Sequence, residues 1–427
     1  MTGLEQTSAV VGVPAAPAPP ALPDGGTRAA VGLAAATMAA NAAGVAITIV
    51  FTRLLGTDGY GQLAALLNLM LILAVPGSAL QVAAAREGAR GRLGEGRELA
   101  GTFASWSRRL GAALAVATVA GVLARVPLAD ALNVDATWAA AAVPVTAGAW
   151  LLLCVYRGLL QARRAYRAVG LSLVLEAIGR LVVGVALAVA GLDVTGAYLG
   201  TTASFVVTAL VLGLLLRRRL GPAGAGGARH RLRTLARGAG VPIAALVLIA
   251  VLQNVDVLVA RHTLADDPAG IYAAAGVCAK ALVWIAWGVG LWLLPEAAHR
   301  VAAGHEARAV LLRAAAVILA IAVPELVVYA VAPELVLEVA FGADYRPGAG
   351  VLLTLGVAYA FLAVTYIGVQ YGMGLHRRAF LAVLALAALL QTVLLAGRDS
   401  TEGLAAVVLA VQAPAAVAVL ALALRRR

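Results

Sequence analysis

Glu176 and Arg180 stand four residues apart within one long apolar stretch, so on a helix they share a face. Lys280, the only lysine, and Asp256 lie in two other apolar stretches, with Gln253 and Asn254 just before the aspartate. Glu325 follows Pro324 in a further one. A charge at bilayer depth costs roughly 2.5–3.5 kcal/mol, so something must offset each of these. Two arrangements do so. The charges can pair and pin helices together. Alternatively, Arg180 and Lys280 can line a wet chamber and attract an anion, with Glu176 and Asp256 orienting them. The two readings are compatible. Glu176, Asp256 and Glu325 are also carboxyls of the kind that carry a coupling proton or Na⁺. Asp256 and Lys280 lie about five and nine residues from the same ends of their stretches, a depth difference of roughly 6 Å that a lysine stem spans.

These residues need spanning helices to hold them. The chain has 427 residues, is 62% hydrophobic and has a mean hydropathy of +0.94. That is too apolar for a surface facing water. A crossing takes about 20 apolar residues. Twelve such stretches are predicted: 29–51, 61–85, 110–124, 137–156, 168–191, 195–216, 239–261, 271–295, 309–331, 348–372, 378–397 and 402–424. The third is short, and its helix is expected to begin before Arg109, with the arginines snorkelling. The expected fold is all-α and polytopic, with about twelve transmembrane helices.

The connections alternate in charge. Segments 86–109, 157–167 and 217–237, with Arg300 to Arg313, Arg377, Arg378 and the last three residues, are rich in arginine. The other set holds at most one basic residue each (Arg53, Arg125, Arg261, Arg346, Arg398) and most of the acids. Because Lys/Arg-rich short loops stay in the cytoplasm, both termini are expected there, in a plasma membrane protein. Arg53 and Arg261 end the first and seventh stretches on the opposite side, where they would gate the outer mouth or reach headgroups.

Six stretches precede the basic connection 217–237 and six follow it. This predicts a disordered tail 1–28, a bundle 29–216, a linker 217–238 and a bundle 239–427, pseudo-symmetric about a central cavity. A loose repeat supports it: FTRLLGTDGYGQLAAL from Phe51 and VARHTLADDPAGIYAAA from Val259 each carry an arginine, then an acid, then Gly and Tyr.

The first of these hairpins resembles the opening hairpin of the polysaccharide-biosynthesis (Wzx-type) flippases. These belong to the multidrug, oligosaccharidyl-lipid and polysaccharide exporter superfamily. LLQARRAYRAVGLSLVLEAIGRLVVG, with Glu176 and Arg180, resembles their loop into the fifth helix. The stretch from Val255 to LLPEAAHR resembles their seventh and eighth helices, and AFGADYRPGAGVLL the turn before their tenth. The resemblance implies alternating access and an undecaprenyl-diphosphate-linked oligosaccharide as cargo. It also implies a polymerase and glycosyltransferases as working partners, and no cofactor. Many members have fourteen helices; this chain has room for twelve.

The net charge of +12 fits anionic headgroups better than nucleic acid, because the arginines cluster in short loops between apolar stretches. Cys154 and Cys278 lie in apolar stretches and read as core residues, with no metal-ligand spacing around them. No Walker A motif is present, so no P-loop ATP hydrolysis is expected. A drug/cation antiporter of the same superfamily would favour acids in the first four stretches, which have none. A membrane glycosyltransferase or polymerase would need a large catalytic outer loop, and the longest here is 332–347. A monomeric transporter, not an enzyme, is the expectation.

Overall fold

The computed structural model describes residues 24–222, 240–302 and 308–425. The tail 1–23 and most of the linker lie outside them. In lipid every backbone N–H and C=O has to be satisfied within the chain, which leaves helices as the way to cross. The described residues form α1 Asp24–Ala89, α2 Gly96–Leu123, α3 Arg125–Leu132, α4 Thr137–Ala162, α5 Tyr166–Leu187, α6 Asp193–Leu220 and α7 Gly240–Thr263. There follow α8 Asp266–Ala279, α9 Ala281–Ala302, α10 Arg308–Val331, α11 Pro333–Phe341, α12 Ala349–Gly374, α13 Phe380–Leu395 and α14 Thr401–Leu424.

Eight helical stretches among the described residues have the length and apolarity of a crossing. Two of these, Ala42–Ala89 and Tyr166–Leu220, are double length. The first is broken at Gly56, whose φ of 70° and ψ of −173° interrupt α1 at a position that favours glycine. The second is broken at a π-helical turn, Ala188–Leu192, that joins α5 to α6. Adding the α2–α3 pair, bent by 74°, and the shorter apolar α13 brings the crossings to the expected twelve.

Helix α2 begins at Gly96, ahead of Arg109 as expected, and the connection before it is correspondingly short. One boundary differs from the sequence reading: helix α4 runs to Ala162, so Arg157 lies inside a helix instead of in a basic loop. The arginine sits between apolar residues and is buried in the packed bundle, which extends the helix past it.

Lipid-facing and packed surfaces separate cleanly on α5. Leu171, Leu175, Ile178 and Val182 form its exposed stripe. Ser172 and Glu176 on the other side are buried. The packed apolar residues fall mainly into a cluster from 245 to 423, which also takes in Tyr60 and Ala64, and into smaller clusters between 47 and 216. Without a hydrophobic force between helices in lipid, polar contacts and close packing hold them together. Examples are Thr146 to Thr202 at 2.7 Å and Trp150 Nε1 donating to the Ala74 carbonyl at 3.0 Å.

Candidate functional site: buried charges between the two halves of the chain

The two repeated hairpins meet each other at the end of the molecule that carries the acidic connections. Arg261 ends α7 and is 3% exposed. Its guanidinium lies 2.7 Å from Asp58 and 3.1 Å from Asp266, and its Nε donates to the Asn133 carbonyl at 2.8 Å. Asn133 Nδ2 returns a bond to the Arg261 carbonyl at 2.6 Å. The Thr57 hydroxyl donates to Asp267. Tyr345 donates its hydroxyl toward the carbonyls of Thr52 and Gly56, at 3.2 and 3.1 Å. Gly61 and Gly270 touch: a Cβ added to Gly61 would lie 3.1 Å from the Gly270 backbone, and one added to Gly270 would overlap the Thr57 carbonyl. Arg53 is exposed and donates to the Val339 carbonyl of α11 at 3.3 Å. Apart from the Arg261–Asp266 pair, each of these contacts joins the first half of the chain to the second, and the acidic end is closed.

Deeper in, Lys280 occupies the break between α8 and α9. It is 4% exposed. Its Nζ donates to Asn68 Oδ1 at 3.1 Å, lies 4.0 Å from Asp256 Oδ1 and stands 5.5 Å above the Tyr359 ring. Asp256, 0% exposed, accepts the hydroxyls of Tyr272 at 3.2 Å and Tyr359 at 2.8 Å on its other oxygen. The expected approach of Lys280 to Asp256 is therefore present, at the long limit of an ion pair. The ammonium is shared with Asn68 from the other half.

The expected wet face of α7 is packed in this state. Gln253 and Asn254 are buried, and Asn254 Nδ2 bonds the Ala250 carbonyl of its own helix at 2.8 Å. The Leu252 carbonyl accepts the amides of Gln391 at 2.9 Å and Gln412 at 3.0 Å, tying α7 to α13 and α14. These amides act as interhelical glue.

In the first half, Glu176 does not pair with Arg180. Its carboxylate lies 2.7 Å from the Arg157 guanidinium, and Arg157 Nε donates to Ser172 at 2.9 Å. Arg157 is 1% exposed. Sequence reasoning missed it, although Cys154-Val155-Tyr156 before it and Gly158-Leu159-Leu160 after it are apolar. Arg180 is thereby left without a contact ion pair among the described residues, with Glu176 acting on it only from beyond ion-pair distance. It is half-buried, its guanidinium carbon stands 5.9 Å from the Phe205 ring centre, and its Nε has no hydrogen-bond partner. Arg180 lies on the side of α5 opposite Leu171, Leu175, Ile178 and Val182, so it points away from lipid. Arg180 and Lys280 belong to different groups of contacts, and no described interaction brings them together.

Glu325, in α10 one residue beyond Pro324, hydrogen-bonds with the Tyr329 hydroxyl at 2.7 Å. The same hydroxyl reaches the Cys278 carbonyl of α8 at 2.9 Å. A cavity of about 390 Å³ opens elsewhere, at the basic end, among Gly88, Gly94, Leu159 and Arg163.

Twelve helical crossings with charged groups buried between them make up an all-helical, polytopic membrane fold. Residues 28–287 match the model of the family described as "Polysaccharide biosynthesis protein", and the chain belongs to that family. Among solved structures, it is similar to a multidrug resistance MATE family transporter of the MOP superfamily in its inward-facing conformation. Identity is 14%, coverage 92% of this chain and 97% of that one, and the TM-score 0.70. An outward-facing conformation of such a transporter gives 15% identity, 93% and 95% coverage and a TM-score of 0.59. A MOP superfamily transporter from Pyrococcus furiosus, noted for the reverse polarity of its binding pocket, gives 16% identity, 93% and 95% coverage and a TM-score of 0.55. No curated protein matches the chain. The protein is a member of the polysaccharide biosynthesis protein family with the fold seen in these MOP superfamily transporters.

Proposed function

We propose that the protein flips an undecaprenyl-diphosphate-linked oligosaccharide from the inner to the outer leaflet of the plasma membrane, for cell-surface polysaccharide biosynthesis. The acidic end faces outward and the basic end and both termini face the cytoplasm, following the charge of the connections. Bundles 29–216 and 239–427 rock about the linker 217–238. The family supports the substrate class. The observation that carries the mechanism is Arg180, a cation turned away from lipid whose counter-ion has been taken by Arg157.

Such a cargo has a polar sugar, an anionic diphosphate and a lipid tail, and only the first two must avoid hydrocarbon. Arg180 holds diphosphate oxygens from the first bundle. Lys280, released from Asn68 as the bundles separate, holds them from the second. With the inside negative, outward movement of an anion gains about 2.3 kcal/mol per charge per 100 mV.

Replacing Arg180 or Lys280 by Gln is expected to slow outward movement of labelled lipid-linked sugar in vesicles. A hydrogen bond to a charged group contributes about 1.5–3 kcal/mol, so the slowing is roughly tenfold to a hundredfold. Unchanged rates in both variants, at equal membrane expression, would sink the cationic site. The second reading is a drug/cation antiporter, favoured by the MATE structures the fold matches. It predicts export of a cationic dye and no movement of the lipid-linked sugar. An enzyme acting on the same carrier would change the product's mass; flipping leaves it unchanged.

A further inference from the structure

Tyr329 has one hydroxyl proton and two acceptors in reach. Glu325 Oε1 lies at 2.7 Å and the Cys278 carbonyl at 2.9 Å, both full-length hydrogen bonds. A backbone carbonyl never donates. If the Tyr329 proton goes to Cys278, the short contact with Glu325 requires a proton on the carboxyl, donated to the tyrosine oxygen.

Tyr359 poses a similar question between Asp256 and the Gln253 carbonyl, at 2.8 and 3.1 Å. There Tyr272 supplies a second hydroxyl and Lys280 an ammonium, so the carboxylate is served whichever way Tyr359 turns. Glu176 has Arg157. Glu325 has no cation among the described residues. Its ionisable neighbours are Tyr329 on its own helix and the Cys278 thiol on α8. Residues Ala281 to Leu293 of α9 and Ala349 to Ala358 of α12 contain no ionisable side chain, and α11, which also packs against α10, brings Glu334 and Glu338, two acids and no cation.

We infer that Glu325 is a proton-binding site, protonated in this closed state, that reports through Tyr329 to the helix break at Lys280. The inference rests on the transporter reading and deepens it by naming the coupling ion and its residue. When the proton leaves for water, the carboxylate becomes the stronger acceptor and Tyr329 turns its proton to it. The Cys278 carbonyl, in the last turn of α8 two residues before the break, then loses its tie to α10 and keeps only the Lys280 backbone N–H. A carbonyl at a helix end that loses its one side-chain donor is held less firmly, so the turn is freed to rearrange. That turn carries Lys280 and its bond to Asn68, the deepest link between the halves described above. Proton release thus loosens the closed state, and protonation restores it. In an exporter this is the sense of antiport: the proton travels inward with the empty carrier.

Two measurements on the full chain in lipid vesicles test this. Infrared difference spectroscopy reads the C=O stretch of a protonated carboxyl, which carboxylates lack. At neutral pH a band is expected that Glu325→Gln removes and Tyr329→Phe shifts. Its absence from the unaltered protein, or its persistence in Glu325→Gln, overturns the site. The second reads closure through a disulfide between Thr57→Cys and Asp267→Cys, with Cys154 and Cys278 replaced by Ala. The trapped fraction is expected to fall as pH rises from mildly acidic to alkaline, and to stay high throughout when Glu325→Gln is added. Identical pH profiles overturn the coupling. Neither measurement uses cargo, so failure to move lipid-linked sugar would leave both results standing and count only against the flippase reading.

Discussion

Gly270→Ala is expected to hold the outer end open. The added Cβ would overlap the Thr57 carbonyl, which is backbone and cannot rotate away, so the two hairpins have to separate. Overpacking costs about 1–3 kcal/mol. At 1.4 kcal/mol per tenfold, the upper end shifts the closed-to-open ratio by roughly a hundredfold. Gly276→Ala, on the same helix with open space where its Cβ would stand, is the control and should change nothing. Labelling of a cysteine introduced at Thr57 by a membrane-impermeant reagent measures the difference. Slow labelling in the Gly270→Ala protein, equal to the control, would show that the hairpins are not the closing surface. Transport should fall with it, because a carrier held open on one side cannot complete a cycle.

The second large effect is on folding. Arg157→Ala leaves Glu176 buried without its counter-ion and Ser172 without its donor. Breaking a buried pair from one side costs about 3–5 kcal/mol, whereas replacing both partners with apolar residues of similar size is often neutral. Arg157→Ala and Glu176→Ala are each expected to lower the denaturation midpoint sharply. The double replacement Arg157→Met with Glu176→Leu should recover most of the loss. If the double variant is as unstable as the singles together, the two residues act independently and Glu176 has another partner. The same variants bear on transport: with Arg157 gone, Glu176 is free to turn to Arg180 four residues along and neutralise the proposed diphosphate contact.

Much of the fold was legible in the sequence, because crossing a bilayer imposes length and apolarity on each helix and charge on each connection. The site was legible in part. Glu176, Arg180, Asp256 and Lys280 stood out because each is a charge at a depth where charge is costly. Their partners did not. Arg157 was hidden by proximity to Arg163 and Arg164, which made it look like the start of a loop. Asn68 meets Lys280 across 212 residues, a distance over which no helical period speaks. Tyr272 and Tyr359 look like ordinary aromatic residues of membrane helices until the fold aims both at one carboxylate oxygen. Arg261 and the acids around Asp58 and Asp266 were seen as separate members of two similar hairpins. That they bind one another depends on how the halves face each other, which the repeat alone does not specify.

Arg261 is gripped from three separate stretches of chain at once: the first hairpin, the turn after α3 and the start of α8. The grips of Asp58 and Asn133 cross between the halves, so losing one leaves the other holding, partial separation gains little and the transition favours all-or-nothing release. A seam built this way does not gape halfway, and water and small ions find no continuous path across the membrane while the carrier waits for its next load.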